Sequence, residues 1–413
     1  QEDGIQFPFG SGGNNTVGGT AAGEGNVISG NNGSTSSGYG IEMASSNAMG
    51  NTVAGNIIGP QANGTTMVAG STQVDGIFMV SSSNNTIGGN TPGARNIISG
   101  NQTEGIYISG AGSMGNKIIG NYIGPDKPGT ALIGGSSQDY GVYINTSSGG
   151  GNSIGGSGAG EGNVISGNVN SGVQVLSTAA AGNSIFGNII GPQANGTTYL
   201  AVNTQLYGVY VDGSPNNTIG GNSTGARNII SANETFGVVI QSASASGNRV
   251  KGNYIGTDIT GTTIIGGSTQ DNGVRITINA PSNFIGGTGT GEGNLISGNT
   301  GSGIYLTSAA AAGNSVLGNI IGPRADGVTY LSSNAQTVGI TILNSLNNTI
   351  GGNTPGARNI ISANEGQGIV LSGASSTGNV IKGNYIGLDR KGTSFSTNST
   401  QDRGIYVTFS TGG

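Results

Sequence analysis

Apolar residues along this chain occur in runs of only three to five positions, alternating with polar or small residues, and each run ends at Gly or Asn. The most regular run is G-[IV]-x-Φ. It begins at Gly4, Gly40, Gly76, Gly105, Gly141, Gly172, Gly208, Gly237, Gly273, Gly303, Gly339, Gly368 and Gly404. The steps between these glycines are 36, 36, 29, 36, 31, 36, 29, 36, 30, 36, 29 and 36 residues. Two further phrases follow in every unit, N-x-[IV]-x-G and then N-x-I. The first Asn runs from Asn15 to Asn379, the second from Asn26 to Asn384, and Ile stands two residues after the second each time. Alternation with a period of two over so few residues predicts short β-strands separated by turns. No segment carries a capped 3.6-residue period. The prediction is twelve complete units of three strands each, with a further one begun at Gly404.

Three strands per unit and a fixed column for each Ile describe one coil of a solenoid. The expected fold is all-β, a right-handed parallel β-helix of about twelve coils of three short strands, alternating ~36 and ~30 residues. Ile would stack on Ile inside. Asn columns would form amide ladders, and Gly columns would take up turn conformations. Short coils place their excursion between the middle and last strands ("GGNTPGAR"), and long coils place theirs after the last strand ("GPDKPGTALIGGSSQDY"). Residues 1–413 therefore read as one domain of four-coil repeats, at 4–140, 141–272 and 273–403, with the start of a further coil at 404–413. At ~4.8 Å per coil the stack would be about 58 Å long.

Composition narrows the chemistry. The chain holds 85 Gly and only 8 % charged residues, with no Cys, His or Trp. Collagen is excluded because no G-X-Y period appears, and regular Ile and Val columns oppose disorder. Disulfides, thiolate metal sites, Cys nucleophiles and Ser-His-Asp chemistry are excluded by composition. A net charge of −5 with 13 Lys and Arg argues against nucleic acid and anionic membrane. No apolar run is long enough for a membrane span. No signal peptide is present, and Gln1 would be a mature terminus if one had been removed.

The phrase "NNTIGG…ARNIISGN…GNYIGTD…GT" resembles the right-handed parallel β-helix superfamily, whose best-known members are pectate-lyase-like. It is more similar still to tandem-repeat secreted bacterial β-helix proteins of unassigned function. The likeness covers essentially the whole chain. It implies the fold and leaves the activity open among polysaccharide lyases, hydrolases, epimerases, tailspikes, adhesins and structural solenoids.

Candidate site residues fall in repeating columns. Asp126, Asp258 and Asp389 share the column GNYIGxD, and Asp139, Asp271 and Asp402 share the column before the first strand. Members of one column lie four coils apart, roughly 19 Å, so only a pair such as Asp126 with Asp139 would approach as a catalytic dyad. The plainer reading is turn chemistry. A weak calcium site at Asp126, Asp258 and Asp389 is the alternative. At the short-coil corner, Glu24, Arg95, Glu161, Arg227, Glu292 and Arg358 alternate in sign two coils apart. This reads either as a solvated stripe or as contacts with a neighbouring copy.

The "NNT" sequons at Asn14, Asn84, Asn216 and Asn347 have a ladder position as their middle Asn, and the structural reading is preferred. The outward residue of the first strand is too varied for ice binding: Glu42, Phe78, Tyr107, Tyr143, Gln174, Tyr210, Val239, Arg275 and Tyr305. Its tyrosines suit either sugar stacking or packing against another copy.

Both ends stop at the same place in the repeat, so the strand edges around Ile5, Phe7, Ile405 and Val407 would be covered either by a head-to-tail copy or by capping domains outside this sequence. With no grouped acids evident, the expectation is a non-enzymatic, secreted structural protein. It would self-assemble into a filament, with adhesion to surface glycans a related role and no cofactor. The alternative is a carbohydrate-binding or polysaccharide-cleaving β-helix.

Overall fold

The computed structural model describes residues 1–33, 37–145, 150–201, 205–332, 335–395 and 399–408. The end of the expected thirteenth segment, 409–413, lies outside the described residues. Contacts divide the chain into two units, Gln1–Asn195 with Leu200–Val209, and Gly196–Tyr199 with Tyr210–Gly413.

In the N-terminal unit three parallel sheets run side by side. The first contains Ile5–Phe7, Ile41–Met43, Ile77–Val80, Glu104–Ser109, Tyr140–Ile144 and Ser171–Leu176, paired in that order. The second contains Thr16–Gly18, Thr52–Ala54, Thr86–Gly88, Lys117–Ile119, Ser153–Gly155 and Ser184–Phe186. The third contains Val27–Ile28, Ile57–Ile58, Ile97–Ile98, Tyr122–Ile123, Val164–Ile165 and Ile189–Ile190. Each strand pairs with its counterpart one coil away, which is the defining arrangement of a parallel β-helix. A right-handed winding accords with the strong preference of parallel crossovers.

The C-terminal unit repeats the plan. Its first sheet runs from Phe236–Gln241 to Arg403–Thr408, its second from Thr218–Ile219 to Val380–Ile381, and its third from Ile229–Ile230 to Tyr385–Ile386. The only helical segments among the described residues are single 3₁₀ turns. They are Pro92–Ala94, Thr224–Ala226 and Pro355–Ala357, all in short-coil corners.

The inward columns are dry. Ile58, Ile98, Ile123, Ile165 and Ile190 are fully buried in one unit, and Ile230, Ile255, Ile296, Ile321 and Ile361 in the other. The two expected Asn ladders are present. Asn51 Nδ2 donates to Asn85 Oδ1 at 3.0 Å, and Asn85 in turn to Asn116. Asn56, Asn96, Asn121 and Asn163 continue the second ladder. Each buried amide thus has a partner above and below, which removes the cost of burying it.

A third ladder was not expected. It alternates Asn from short coils with Gln from long coils: Asn31, Gln73, Asn101, Gln138, Asn168 and Gln205. In the other unit it runs through Asn233, Gln270, Asn299, Gln336, Asn364 and Gln401. The two coil types reach this corner by different routes, directly from the last strand or after a long excursion. Side chains of two lengths bring the amides into line.

The glycine that opens each first strand is there for space and not for its dihedral. A Cβ on Gly76 would lie 2.5 Å from Ile98 Cγ2 and 2.6 Å from the Gly105 carbonyl. Turn conformation governs elsewhere, as at Gly55, with φ of 73°.

Candidate functional site

The first sheet of the N-terminal unit turns two columns of side chains outward. One column lies just before the strand's opening glycine and includes Asp3, Tyr39, Asp75, Glu104 and Tyr140. The other lies three residues on and includes Gln6, Glu42, Phe78, Tyr107 and Tyr143. Of these, Tyr39, Asp75, Glu104, Phe78, Tyr107 and Tyr143 line a groove of about 390 Å³.

Asp75 and Tyr39 are the buried members, 3 % and 7 % exposed. Asp75 Oδ1 accepts from Thr103 Oγ1 at 2.5 Å and from the Glu104 amide at 3.1 Å. Its carboxylate also accepts a hydrogen bond from the Glu104 carboxyl, one coil away. Burial raises the Glu104 carboxyl, and the adjoining Asp75 raises it further, to about 8. Asp75 is also raised, by burial, against the lowering effect of its hydrogen bonds from Glu104 and Thr103. Two carboxyl groups this close cannot both ionise without bringing like charges together, so they share a proton.

Around the pair stand further acids. Burial raises Asp139, with Glu104's charge adding to it. The Asp139 amide donates to the Thr103 carbonyl at 2.6 Å, which fixes it on the coil next to Glu104. By strand spacing their Cα atoms lie roughly 6 Å apart. Asp3 Oδ1 accepts from the Tyr39 amide at 2.9 Å, and Glu42 accepts from Gln6 Nε2. The Tyr39 hydroxyl, raised by burial and then by Asp75, Glu42, Asp3 and Glu104, is pushed up to about 12.

The aromatic residues form one wall. Tyr39 stacks on Phe78 at 4.2 Å between centroids, and Phe78 on Tyr107 at 5.2 Å. Tyr107 meets Tyr143 edge-on at 5.6 Å, and Tyr143 stacks on Tyr140 at 4.9 Å. The rings cover one another's faces, so the groove receives their edges and hydroxyls. No Lys or Arg lines the groove among the described residues.

Of the acids the sequence singled out, Asp139 lies beside Glu104, and the others lie elsewhere. Asp126 and Asp258 are each held in their own turn. Asp126 Oδ1 accepts from the Thr130 and Ala131 amides at 2.8 and 3.1 Å. Asp258 accepts from the amides of Thr262 and Thr263 and from both their neighbouring hydroxyls, Thr260 and Thr263. Burial raises Asp258, but these hydrogen bonds outweigh it and leave the carboxyl below its usual range. Asp389 accepts from the Thr393 and Ser394 amides. Among the described residues no three acids converge in a metal-binding group. Asp126 does not pair with Asp139, whose acidic neighbour is Glu104.

In the alternating corner, Arg and Glu engage their own surroundings and not one another. The Arg95, Arg227 and Arg358 guanidinium groups sit over Tyr122, Tyr254 and Tyr385 at 4.1, 4.0 and 4.1 Å. Glu24, Glu161 and Glu292 each accept from the amide three residues earlier, at Ala21, Gly158 and Gly289. Glu292 also pairs with Lys251 at 2.9 Å. At the outer strands Phe7 is buried, Ile5 half-buried, and Ile405 and Val407 exposed.

No protein-family model matches the chain, and no curated protein matches it. Solved structures do. The Dettilon tailspike protein aligns with TM-score 0.47 at 15 % identity over 95 % of this chain and 60 % of its own, so this chain spans less than two thirds of it. The periplasmic alginate epimerase AlgG aligns with TM-score 0.33 at 12 % identity, over 89 % of this chain and 76 % of its own. An alginate lyase from Paenibacillus sp. str. FPU-7 aligns with TM-score 0.32 at 11 % identity, over 87 % of this chain and 99 % of its own. The likeness is one of fold.

The expectation of a non-enzymatic chain is corrected here. It rested on the absence of grouped acids, and Asp75, Glu104 and Asp139 are grouped.

Proposed function

We propose that this chain is a carbohydrate-active β-helix that works outside the cytoplasm. It holds a polysaccharide along the first sheet of the N-terminal unit and hydrolyses it with Glu104 as general acid. The observation that carries this reading is the placement of Glu104 one coil from the buried Asp75, whose Oδ1 takes hydrogen bonds from Thr103 and the Glu104 amide; burial and that neighbour push the Glu104 carboxyl up to about 8. Such a group keeps its proton at neutral pH and can deliver it to a glycosidic oxygen.

Hydrolysis also requires a second carboxylate within about 10 Å, as base or nucleophile. Asp139 stands on the adjoining coil in that range and is more open to solvent than Asp75. Asp75 itself is a positioning residue: lying beside Glu104, it keeps the Glu104 carboxyl protonated. The stacked rings present their edges and hydroxyls to the groove, where they can contact sugar hydroxyls.

Hydrolysis of a neutral glycan is favoured over elimination on a uronate. A lyase needs a cation to stabilise the charge that develops beside the uronate carboxylate, and the groove offers carboxyl groups instead.

Retardation of the full chain in gels containing neutral polysaccharides tests the binding half of the proposal. Phe78→Ala and Tyr107→Ala should each relieve the retardation at unchanged melting temperature. Migration unaffected by any neutral polymer would sink it.

A further inference from the structure

A second cleft, in the C-terminal unit, has the opposite character. It holds about 490 Å³ on the outer side of the third sheet, between the short-coil corners and the long-coil excursions. Its floor is the apolar row Leu295, Ile320 and Ile360, which register one on the next. Tyr254 continues this row at one end and Tyr385 at the other. Arg227 lies over the first ring at 4.0 Å and Arg358 over the second at 4.1 Å. Arg390 adds a third arginine to the lining, on an excursion anchored by its own amide to the Gly327 carbonyl at 2.8 Å.

No carboxylate lines the cleft among the described residues. The nearest corner acid, Glu292, is already paired with Lys251 at 2.9 Å. A cleft bounded by three arginines in a chain of net charge −5 is a local departure from the surrounding field. Two of these arginines are held in fixed poses. Arg227 Nε donates to the Gly252 carbonyl at 3.4 Å and Arg358 Nε to the Gly383 carbonyl at 3.1 Å. Ring and carbonyl together pin the planar group, and the terminal nitrogens keep their donors for a ligand.

We propose that this cleft binds a segment of a linear anionic polysaccharide, independently of the Glu104 groove. The length of the row selects the ligand. From Tyr254 to Tyr385 is four strand steps, roughly 19 Å, so a single small anion reaches one end only. An extended chain bearing carboxylate or sulfate groups meets both ends and lays its carbon faces on the apolar floor between them. Single-stranded nucleic acid fits poorly, because stacking on aromatic faces supports its binding and Arg227 and Arg358 already cover both rings.

The test is calorimetric titration of the full chain with polygalacturonate, with dextran sulfate and with unmodified dextran. Binding of either polyanion is expected, with dextran inert, and the polymer that binds identifies the anionic group. Arg227→Gln and Arg390→Gln should each weaken it roughly tenfold, and ~1 M salt should abolish most of it. Arg390 covers no aromatic ring, so its variant tests binding without disturbing a stack. Arg275→Gln, on the first sheet, should leave the affinity unchanged. The proposal fails if neither polyanion binds, if dextran binds equally, or if Arg275→Gln weakens binding as much as the cleft variants do.

Discussion

The Glu104 amide donates to the buried Asp75 Oδ1 at 3.1 Å, so two acids 29 positions apart in sequence lie side by side on neighbouring coils, and burial with that neighbour raises the Glu104 carboxyl. The relationship exists because consecutive coils place their corresponding residues one strand spacing apart. It is maintained by Thr103 and the Glu104 amide, both of which donate to Asp75.

The first prediction concerns that carboxyl. A ¹³C titration of side-chain carboxyl groups should show one Glu titrating near pH 8. Asp75→Asn should lower that value without restoring an ordinary one, because burial remains the larger cause. A Glu104 titration in the usual carboxylate range would contradict the assignment.

A second prediction is linkage. The folded Glu104 holds its proton up to about pH 8, while in the unfolded chain it releases it near ~4.3. Between these values folding takes up a proton, so stability declines as pH rises across that window and levels off above it. Melting followed by circular dichroism should fall by a few degrees from about pH 5 to about pH 8. Glu104→Gln should flatten that slope, and an unaltered slope would refute the coupling.

The third ladder should be as demanding as the two expected ones. Gln138→Leu strips a partner from Asn101 and from Asn168, whose amides are buried. A loss of about 1–3 kcal/mol is expected for each group left unpaired. Hydrogen exchange at the flanking coils should rise accordingly, and unchanged protection would show that the ladder contributes little.

Gly76→Ala should cost about 1–3 kcal/mol through overpacking, since its Cβ would meet Ile98 and the Gly105 carbonyl. Gly12→Ala has nothing within 4 Å and should be close to neutral. Denaturant midpoints of the two variants measure the contrast, and equal midpoints would contradict the role given to the opening glycine.

The fold was legible because stacking imposes the same residue on every coil. Ile98 and Ile123, or Asn85 and Asn116, recur in columns, and their columns are what the structure pairs. The third ladder was hidden by its alternation, since Asn101 and Gln138 lie at different distances from their last strands and do not align by eye. The acidic site was missed for the opposite reason. The acids that recur most plainly, Asp126, Asp258 and Asp389, are turn caps, as their plainer reading has it. Asp75 and Glu104 do not recur: their counterparts are Tyr207 with Phe236, and Val338 with Gln367. The available signal was that both acids directly precede opening glycines one coil apart, Gly76 and Gly105. In a repeat protein, repetition reports the scaffold, and the departures from it are where a site is built.

The most direct measurement is product analysis. The full chain is incubated with a panel of neutral and acidic polysaccharides, with new reducing ends and unsaturated products followed separately. Reducing ends should appear from a neutral glycan without unsaturation, and Glu104→Gln and Asp139→Asn should each abolish them while the protein stays folded. Turnover unaffected by both substitutions, or no product from any glycan, would contradict the account.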